Sequence, residues 1–205
     1  MRTRLEKGLG LQVTETSAGI NALMRLALKG KIAGDTYYLK MDKLAFDQAM
    51  KGDEGEDYYQ MYVQQRALGL EAFQNEVITE LGACLGTGLH QIVRCHNYDS
   101  GQWLLMQVVN HPKCEFATAL TIYWANQPNY HYLKYENLEQ ASQDTKNLSR
   151  ETALLLNQIE VKAKLGKFMR SITVPDRNDL SDFLDRKNFD YANKPFIEIP
   201  VELRI

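Results

Sequence analysis

The sequence has few of the residues that mark disulfide-rich or membrane-spanning proteins. Its cysteines are only three, Cys84, Cys95 and Cys114, and an odd, scattered set is not a disulfide framework, so we expect reduced and mostly buried thiols. The longest apolar run, Trp103 to Val109, is far too short to span a bilayer. The basic N-terminal residues are not followed by the apolar region of a secretory signal. These absences predict a cytoplasmic protein.

Strong net charge is also lacking, because the whole chain carries −2 at neutral pH. The charge is unevenly distributed: residues 1–51 hold 9 basic and 5 acidic side chains, residues 52–160 hold 6 and 14, and residues 161–205 hold 9 and 7. An acidic middle repels phosphate, so direct nucleic-acid binding is not expected. No dinucleotide fingerprint, P-loop or nucleophile elbow occurs, and no cofactor is predicted.

The composition is that of a folded chain, with 44% hydrophobic and 24% charged residues. Apolar residues recur mostly at helical spacing, which predicts a mainly α, compact, bundle-like single domain. The predicted helices are Ser17 to Gly30, Asp42 to Met50, Tyr58 to Leu81 with a kink near Gly69, a short helix around Leu89 to Val93, Trp103 to Val109, Cys114 to Asn126 and Ser149 to Lys167.

The helix predicted from Cys114 carries an apolar stripe at i, i+3, i+4 and i+7, formed by Phe116, Ala119, Leu120 and Tyr123. Trp124 follows this stripe, and its indole N–H needs a hydrogen-bond partner if the ring is buried.

The pattern changes after Gly166. Residues Arg170 to Pro175 are β-like, Leu180 to Leu184 favour a short helix, and Phe196 to Ile205 alternate like an edge strand. We expect a small C-terminal β hairpin or an extended tail.

Cys114 and His111 form the one candidate nucleophilic pair. A thiol at a helix N-terminus has a lowered pKa, and a nearby histidine, His111 or His96, would activate it. Ordinary capping and burial account for the same residues, so no catalytic residue is assigned. A zinc site is an alternative, but its ligands lack standard spacing and no metal is predicted. Those ligands would come from Cys84, His90, Cys95, His96, His111 and Cys114.

Two tyrosine clusters and one acidic loop are candidates for contact with a protein partner. The loop resembles a calcium loop only in charge, whereas tyrosines beside carboxylates are typical of polar interfaces. Aromatic residues at helical spacing are also common in hydrophobic cores, so a core role for these tyrosines is the alternative. The candidate residues are Asp53, Glu54, Glu56 and Asp57 with Tyr58, Tyr59 and Tyr62, and, after Pro128, Tyr130, Tyr132 and Tyr135 beside His131.

The segment from His111 to Trp124, HPKCEFATALTIYW, followed by Pro128, Tyr130 and Tyr132, resembles the central motif of a small bacterial family of uncharacterised domains. The likeness covers Trp103 to Pro175 and implies a family-like helical core at residues 101–175. Residues 1–100 would then be an N-terminal helical part without a match, and residues 176–205 a C-terminal extension.

The resemblance implies an immunity or antitoxin role, because these domains are similar to proteins encoded beside polymorphic toxin genes. The family has no established catalytic residues to carry over. Our first hypothesis is therefore a protein that binds and occludes a cognate bacterial toxin with a basic surface. An enzyme that uses Cys114 with His111, a Cys/His metal site and a non-catalytic adaptor domain are the alternatives.

Overall fold

The structure, a computed structural model, describes residues 17–50, 56–98, 101–175 and 199–204. These residues form ten α-helices, which confirms the mainly helical fold class. The helices are α1 (Ser17–Gly34), α2 (Lys43–Met50), α3 (Glu56–Leu68), α4 (Leu70–Gly82), α5 (Gly86–Cys95), α6 (Trp103–Asn110), α7 (Phe116–Ala125), α8 (Asn129–Tyr132), α9 (Leu138–Gln143) and α10 (Arg150–Lys164). Two 3-10 turns, Tyr38–Lys40 and Val201–Leu203, complete the described structure.

Helix α1 packs against α3, α4, α5 and α6. It continues to Gly34, one turn beyond the predicted end at Gly30, because its last carbonyls find side-chain donors. The Gln65 Nε2 donates to the Ile32 carbonyl at 2.7 Å, and the Gln74 Nε2 donates to the Ala33 carbonyl at 2.9 Å. The helix end is thus set by contacts with α3 and α4, which a local sequence signal does not contain.

The kink predicted near Gly69 is confirmed as a break between α3 and α4. Gly69 has φ +85°, a left-handed conformation that glycine adopts without the steric cost other residues meet. Its N–H donates to the Gln65 carbonyl at 2.9 Å and its carbonyl accepts from Phe73 at 3.1 Å. The break therefore loses few backbone hydrogen bonds.

Helix α7 is buried on all sides rather than along the one predicted stripe, since every residue from Phe116 to Trp124 is buried. It begins two residues later than expected, with Glu115 at its N-cap position. Cys114 and Glu115 instead pair with Met169: the Met169 N–H donates to the Cys114 carbonyl at 3.0 Å, and the Phe116 N–H donates to the Met169 carbonyl at 2.7 Å.

The predicted C-terminal hairpin is not supported. Arg170 to Pro175 are irregular, and Val201–Leu203 form a 3-10 turn where an edge strand was expected. The Trp124 indole N–H donates to the Leu203 carbonyl at 2.9 Å, which is the hydrogen-bond partner expected for a buried indole. The helix predicted at residues 180–184 and the start of the predicted strand at residues 196–198 lie outside the described residues.

Helices α8 and α9 are absent from the sequence prediction because each is too short to show a period. Helix α9 nevertheless has a local signal, because the Asn137 side chain accepts from the Gln140 N–H at 2.8 Å as an N-cap. Among the described residues, no helix has the length and apolar character needed to cross a membrane.

Candidate partner-binding surface

The Cys114 thiol does not have the surroundings of a nucleophile. It is 1% exposed, and burial raises its pKa to about 12. Its Sγ faces the Glu115 carbonyl at 3.7 Å, while the His111 Nδ1 accepts from the Lys113 N–H at 3.1 Å. At neutral pH the thiol stays protonated, so the arrangement favours a structural role for Cys114.

The six cysteines and histidines considered as metal ligands do not converge. Within the described ranges, no group of three or more His, Cys, Asp or Glu side chains is placed to hold a metal ion. The His90 Nδ1 instead pairs with the Thr118 hydroxyl at 3.1 Å, and burial lowers the His90 pKa to about 4. The expectation of mostly buried thiols is wrong for Cys95, which is exposed, while Cys84 is half-buried.

The first tyrosine cluster contributes largely to the core. Tyr58 and Tyr62 are buried, and the Tyr62 hydroxyl donates to the Asp35 Oδ2 at 2.7 Å. Tyr59 is half-buried and donates to the Asp47 Oδ1 at 3.1 Å. Tyr58 and Tyr62 face the protein interior because α3 turns this side toward α1 and Phe46, so neither offers an exposed contact.

The acidic loop before this cluster is only partly described. Asp53 and Glu54 lie outside the described residues. Glu56 begins α3, where acidic residues suit the helix N-terminus, and the structure does not describe its side chain. Asp57 is exposed.

The second tyrosine cluster divides into one buried and two accessible residues. Tyr132 is 4% exposed, whereas Tyr130 is 47% exposed. Tyr135 is half-buried and its hydroxyl donates to the Asp144 Oδ2 at 2.7 Å, which fixes the loop after α8 against the end of α9. Leu133, between the tyrosines, is 56% exposed.

Several of these residues are linked by direct contacts, and carboxylates lie close to them in the sequence. The Lys134 Nζ lies 5.0 Å from the centre of the Tyr130 ring, and Tyr130 is near enough to contribute to the raised pKa of Tyr135, whose main cause is its hydrogen bond to Asp144. Glu136 and Glu139, which follow Tyr135 in the sequence, are exposed. We call this set the Tyr130 surface: Tyr130, Leu133, Lys134, Tyr135, Glu136, Glu139 and Asp144.

A buried polar network supports the Tyr130 surface from below. The hydroxyls of Tyr123 and Tyr132 both donate to the Glu160 Oε1, the former at 2.7 Å. The Lys164 Nζ lies 3.8 Å from the Glu160 Oε2. Burial raises the Glu160 pKa, although the two tyrosine hydrogen bonds act in the opposite direction. Tyr132 thus anchors α8 to α10 and holds the neighbouring Tyr130 in place.

Sequence reasoning identified Tyr130 and Tyr135 but missed the other members of the Tyr130 surface, Leu133, Lys134, Glu136, Glu139 and Asp144. A signal was present, because exposed carboxylates follow the tyrosines within a few residues. The sequence did not distinguish the exposed Tyr130 from the buried Tyr132, because that difference depends on which side of a four-residue helix faces α10.

Residues 86–163 match the family model of a domain of unknown function, DUF4274. No curated protein and no solved structure shows significant similarity to the chain. The match begins before the expected start at Trp103 and ends before Pro175, so it includes α5 and nearly all of α10. The Tyr130 surface lies entirely within the residues that match this family model.

Proposed function

We propose that this chain is an immunity protein that neutralises a cognate bacterial toxin by binding it through the Tyr130 surface. The observation that carries the binding role is an accessible tyrosine pair and leucine, with the Asp144 carboxylate hydrogen-bonded to Tyr135 and a buried support beneath Tyr132. The toxin as partner rests on the resemblance of the His111 to Trp124 segment to domains encoded beside toxin genes.

The chemistry of the Tyr130 surface suits a protein partner. Tyrosine provides a large contact area with few rotatable bonds, and tyrosines are frequent among the residues that dominate binding energy. Leu133, at 56% exposed, adds an apolar contact that is poorly placed in water. The set therefore combines apolar and polar side chains, as protein interfaces do.

The acidic charge of this region favours a partner with a basic face. Residues 52–160 carry 14 acidic and 6 basic side chains, and Glu136, Glu139 and Asp144 lie at the Tyr130 surface itself. A basic face on the partner would be steered toward this region and would bind more slowly at high salt.

Rigidity favours affinity as well. The Tyr132 hydrogen bond to Glu160 and the Tyr135 hydrogen bond to Asp144 hold the end of α8 and the loop that follows it before any partner arrives. Less conformational freedom is then lost on binding.

The test is a calorimetric titration of the full chain with the protein encoded by the adjacent gene. We expect binding, and we expect Tyr130→Ala to weaken it by about 30-fold, which corresponds to about 2 kcal/mol for an anchoring tyrosine. Tyr37→Ala is the matched control, because Tyr37 is 65% exposed at the N-cap position of the 3-10 turn before α2. No binding, or equal losses for the two variants, would contradict the proposal.

The charge argument has its own test. Glu136→Gln with Glu139→Gln should lower the association rate at low salt, while Glu71→Gln, on the exposed side of α4, should not. If all three substitutions acted alike, general charge rather than the Tyr130 surface would govern association.

A further inference from the structure

A cleft of about 580 Å³ opens between α1, the start of α3 and the residues that follow α5. Its volume falls within the range of small-molecule sites. Met24 and Leu28 of α1 share a helix face at i and i+4, and Met61 of α3 lines the same cleft. Methionine side chains are flexible and polarizable and adapt to the shape of a bound group. The cleft therefore has an apolar, adaptable wall.

His96 supplies a buried polar group to this cleft. It is 7% exposed, and neither ring nitrogen forms a hydrogen bond of normal geometry with any described residue. Burial lowers its pKa and the Lys31 ammonium lowers it further, while the nearby Gly101 backbone acts in the opposite direction. The neutral imidazole carries one N–H donor and one acceptor, and a buried pair of this kind favours a ligand that satisfies them.

Among the described residues that line the cleft, two are cationic and one is anionic. Arg25 and Lys31 of α1 both line the cleft, and Asp57 provides one carboxylate. The Lys31 Nζ is held 4.8 Å from the centre of the Tyr58 ring, which fixes the position of its charge. Two cations beside an apolar wall attract a molecule that has a negative group at one end and an apolar body at the other.

We propose that this cleft, formed by α1, α3 and the end of α5, binds a small organic monoanion with an apolar body, such as an aromatic or aliphatic carboxylate or sulfonate. Arg25 and Lys31 contact the anionic group, Met24 and Met61 contact the body, and His96 hydrogen-bonds a polar atom of the ligand. The site uses different elements from the Tyr130 surface, so it stands or falls independently of the toxin-binding role.

The first experiment compares two dyes of the same shape with the full chain. The anionic probe is 8-anilinonaphthalene-1-sulfonate, and N-phenyl-1-naphthylamine is its neutral counterpart. We expect saturable binding of one sulfonate probe per chain and at least about tenfold weaker binding of the neutral probe, since a charge-assisted contact contributes that much. Equal affinities for the two probes would overturn the proposal.

Variants locate the site. Arg25→Gln should weaken binding of the sulfonate probe by about tenfold. Lys43→Gln, an exposed residue of α2 outside the cleft, removes the same charge and should leave binding unchanged. Met24→Glu, at a position 51% exposed and so tolerant of a polar residue, should abolish binding by placing a negative charge in the cleft. Equal effects of the arginine and lysine variants would count against the cleft.

Cys95 gives a readout that does not depend on dye fluorescence. Its thiol is exposed and lines the cleft, whereas Cys114 is buried and Cys84 is half-buried with a raised pKa. Saturating sulfonate probe should slow alkylation of Cys95 by iodoacetamide, followed by mass spectrometry, by at least about fivefold if the site is occupied. An unchanged alkylation rate with the probe bound would place the probe elsewhere and overturn the assignment.

Discussion

Gly30 of α1 lies against the Leu104 side chain of α6 so closely that a methyl group has no room there. A Cβ built on Gly30 would lie 2.4 Å from the Leu104 Cδ1 and 2.9 Å from its Cγ. Leu104 is only 1% exposed, so its side chain cannot turn into solvent. Gly30→Ala therefore forces a shift in the packing of α1 against α6.

Two effects of this substitution oppose each other. Alanine in a helix interior is favoured over glycine by about 1 kcal/mol. Overpacking of a filled core costs about 1 to 3 kcal/mol, and a contact with several Leu104 atoms below 3.0 Å belongs at the upper end. We expect a net loss of about 1 to 2 kcal/mol. Gly82→Ala is the control, because nothing lies within 4 Å of its added Cβ, and it should be neutral or stabilising.

Urea unfolding followed by far-UV circular dichroism measures both changes. Leu104→Ala alone should cost about 2 to 5 kcal/mol through the cavity it creates. Combined with Gly30→Ala, it should cost less than the sum of the single changes, because the new methyl group occupies the vacated space. If Gly30→Ala were as stable as the parent, or the two changes were additive, the packing of α1 against α6 would be refuted.

Three further predictions concern single side chains. Iodoacetamide should modify Cys95 in the native chain and reach Cys114 only on unfolding, and equal labelling rates would contradict the burial described. The His90 pKa of about 4 lies below 6.5, so the unfolded chain binds this proton more readily and stability falls as the pH falls through that window. The loss is about 3 kcal/mol by pH 4, and His90→Gln should flatten the profile in urea titrations across this range. An unchanged profile would contradict a buried neutral imidazole. Tyr132→Phe removes one hydrogen-bond donor from the buried Glu160 carboxylate and should lower the free energy of unfolding by about 1.5 to 3 kcal/mol, measured by thermal or urea unfolding. Tyr130→Phe should cost little. Equal costs for the two variants would contradict the buried network.

Local signals predicted the longer helices well. The i, i+4 spacing of apolar residues found α1, α3, α4 and α10, and Gly69 marked the break between two of them. The ends were less accurate where distant side chains complete the hydrogen bonding, as at Gly34, where α3 and α4 provide donors to the last carbonyls of α1. Such partners lie thirty or more residues away.

The hairpin expected at the C-terminus is not supported by the described residues, for a comparable reason. The alternation in the last ten residues resembles a strand, but the part described is placed by Leu203, which is fully buried and whose carbonyl accepts from Trp124. That contact joins residues 79 positions apart. Over so short a segment, the packing of one buried leucine determines the backbone conformation more strongly than an alternation of apolar residues does.

The candidate surface was predictable in composition but not in detail. Tyrosines near carboxylates are visible in the sequence, yet burial separates Tyr62 and Tyr132 from Tyr130 only once the helices are packed. Likewise the helix-start position of Cys114 suggested a reactive thiol, and burial instead raises its pKa. In both cases tertiary packing determines whether a side chain that the sequence identifies is exposed or reactive.

The most direct test of the proposed role is survival of bacteria that express the adjacent gene's product together with this chain. The account predicts that the parent chain and Tyr37→Ala protect the cells, while the double variant Tyr130→Ala with Leu133→Ala does not, at equal protein levels and unchanged stability. Full protection by the double variant would contradict binding through the Tyr130 surface. No protection by the parent would contradict the immunity role itself.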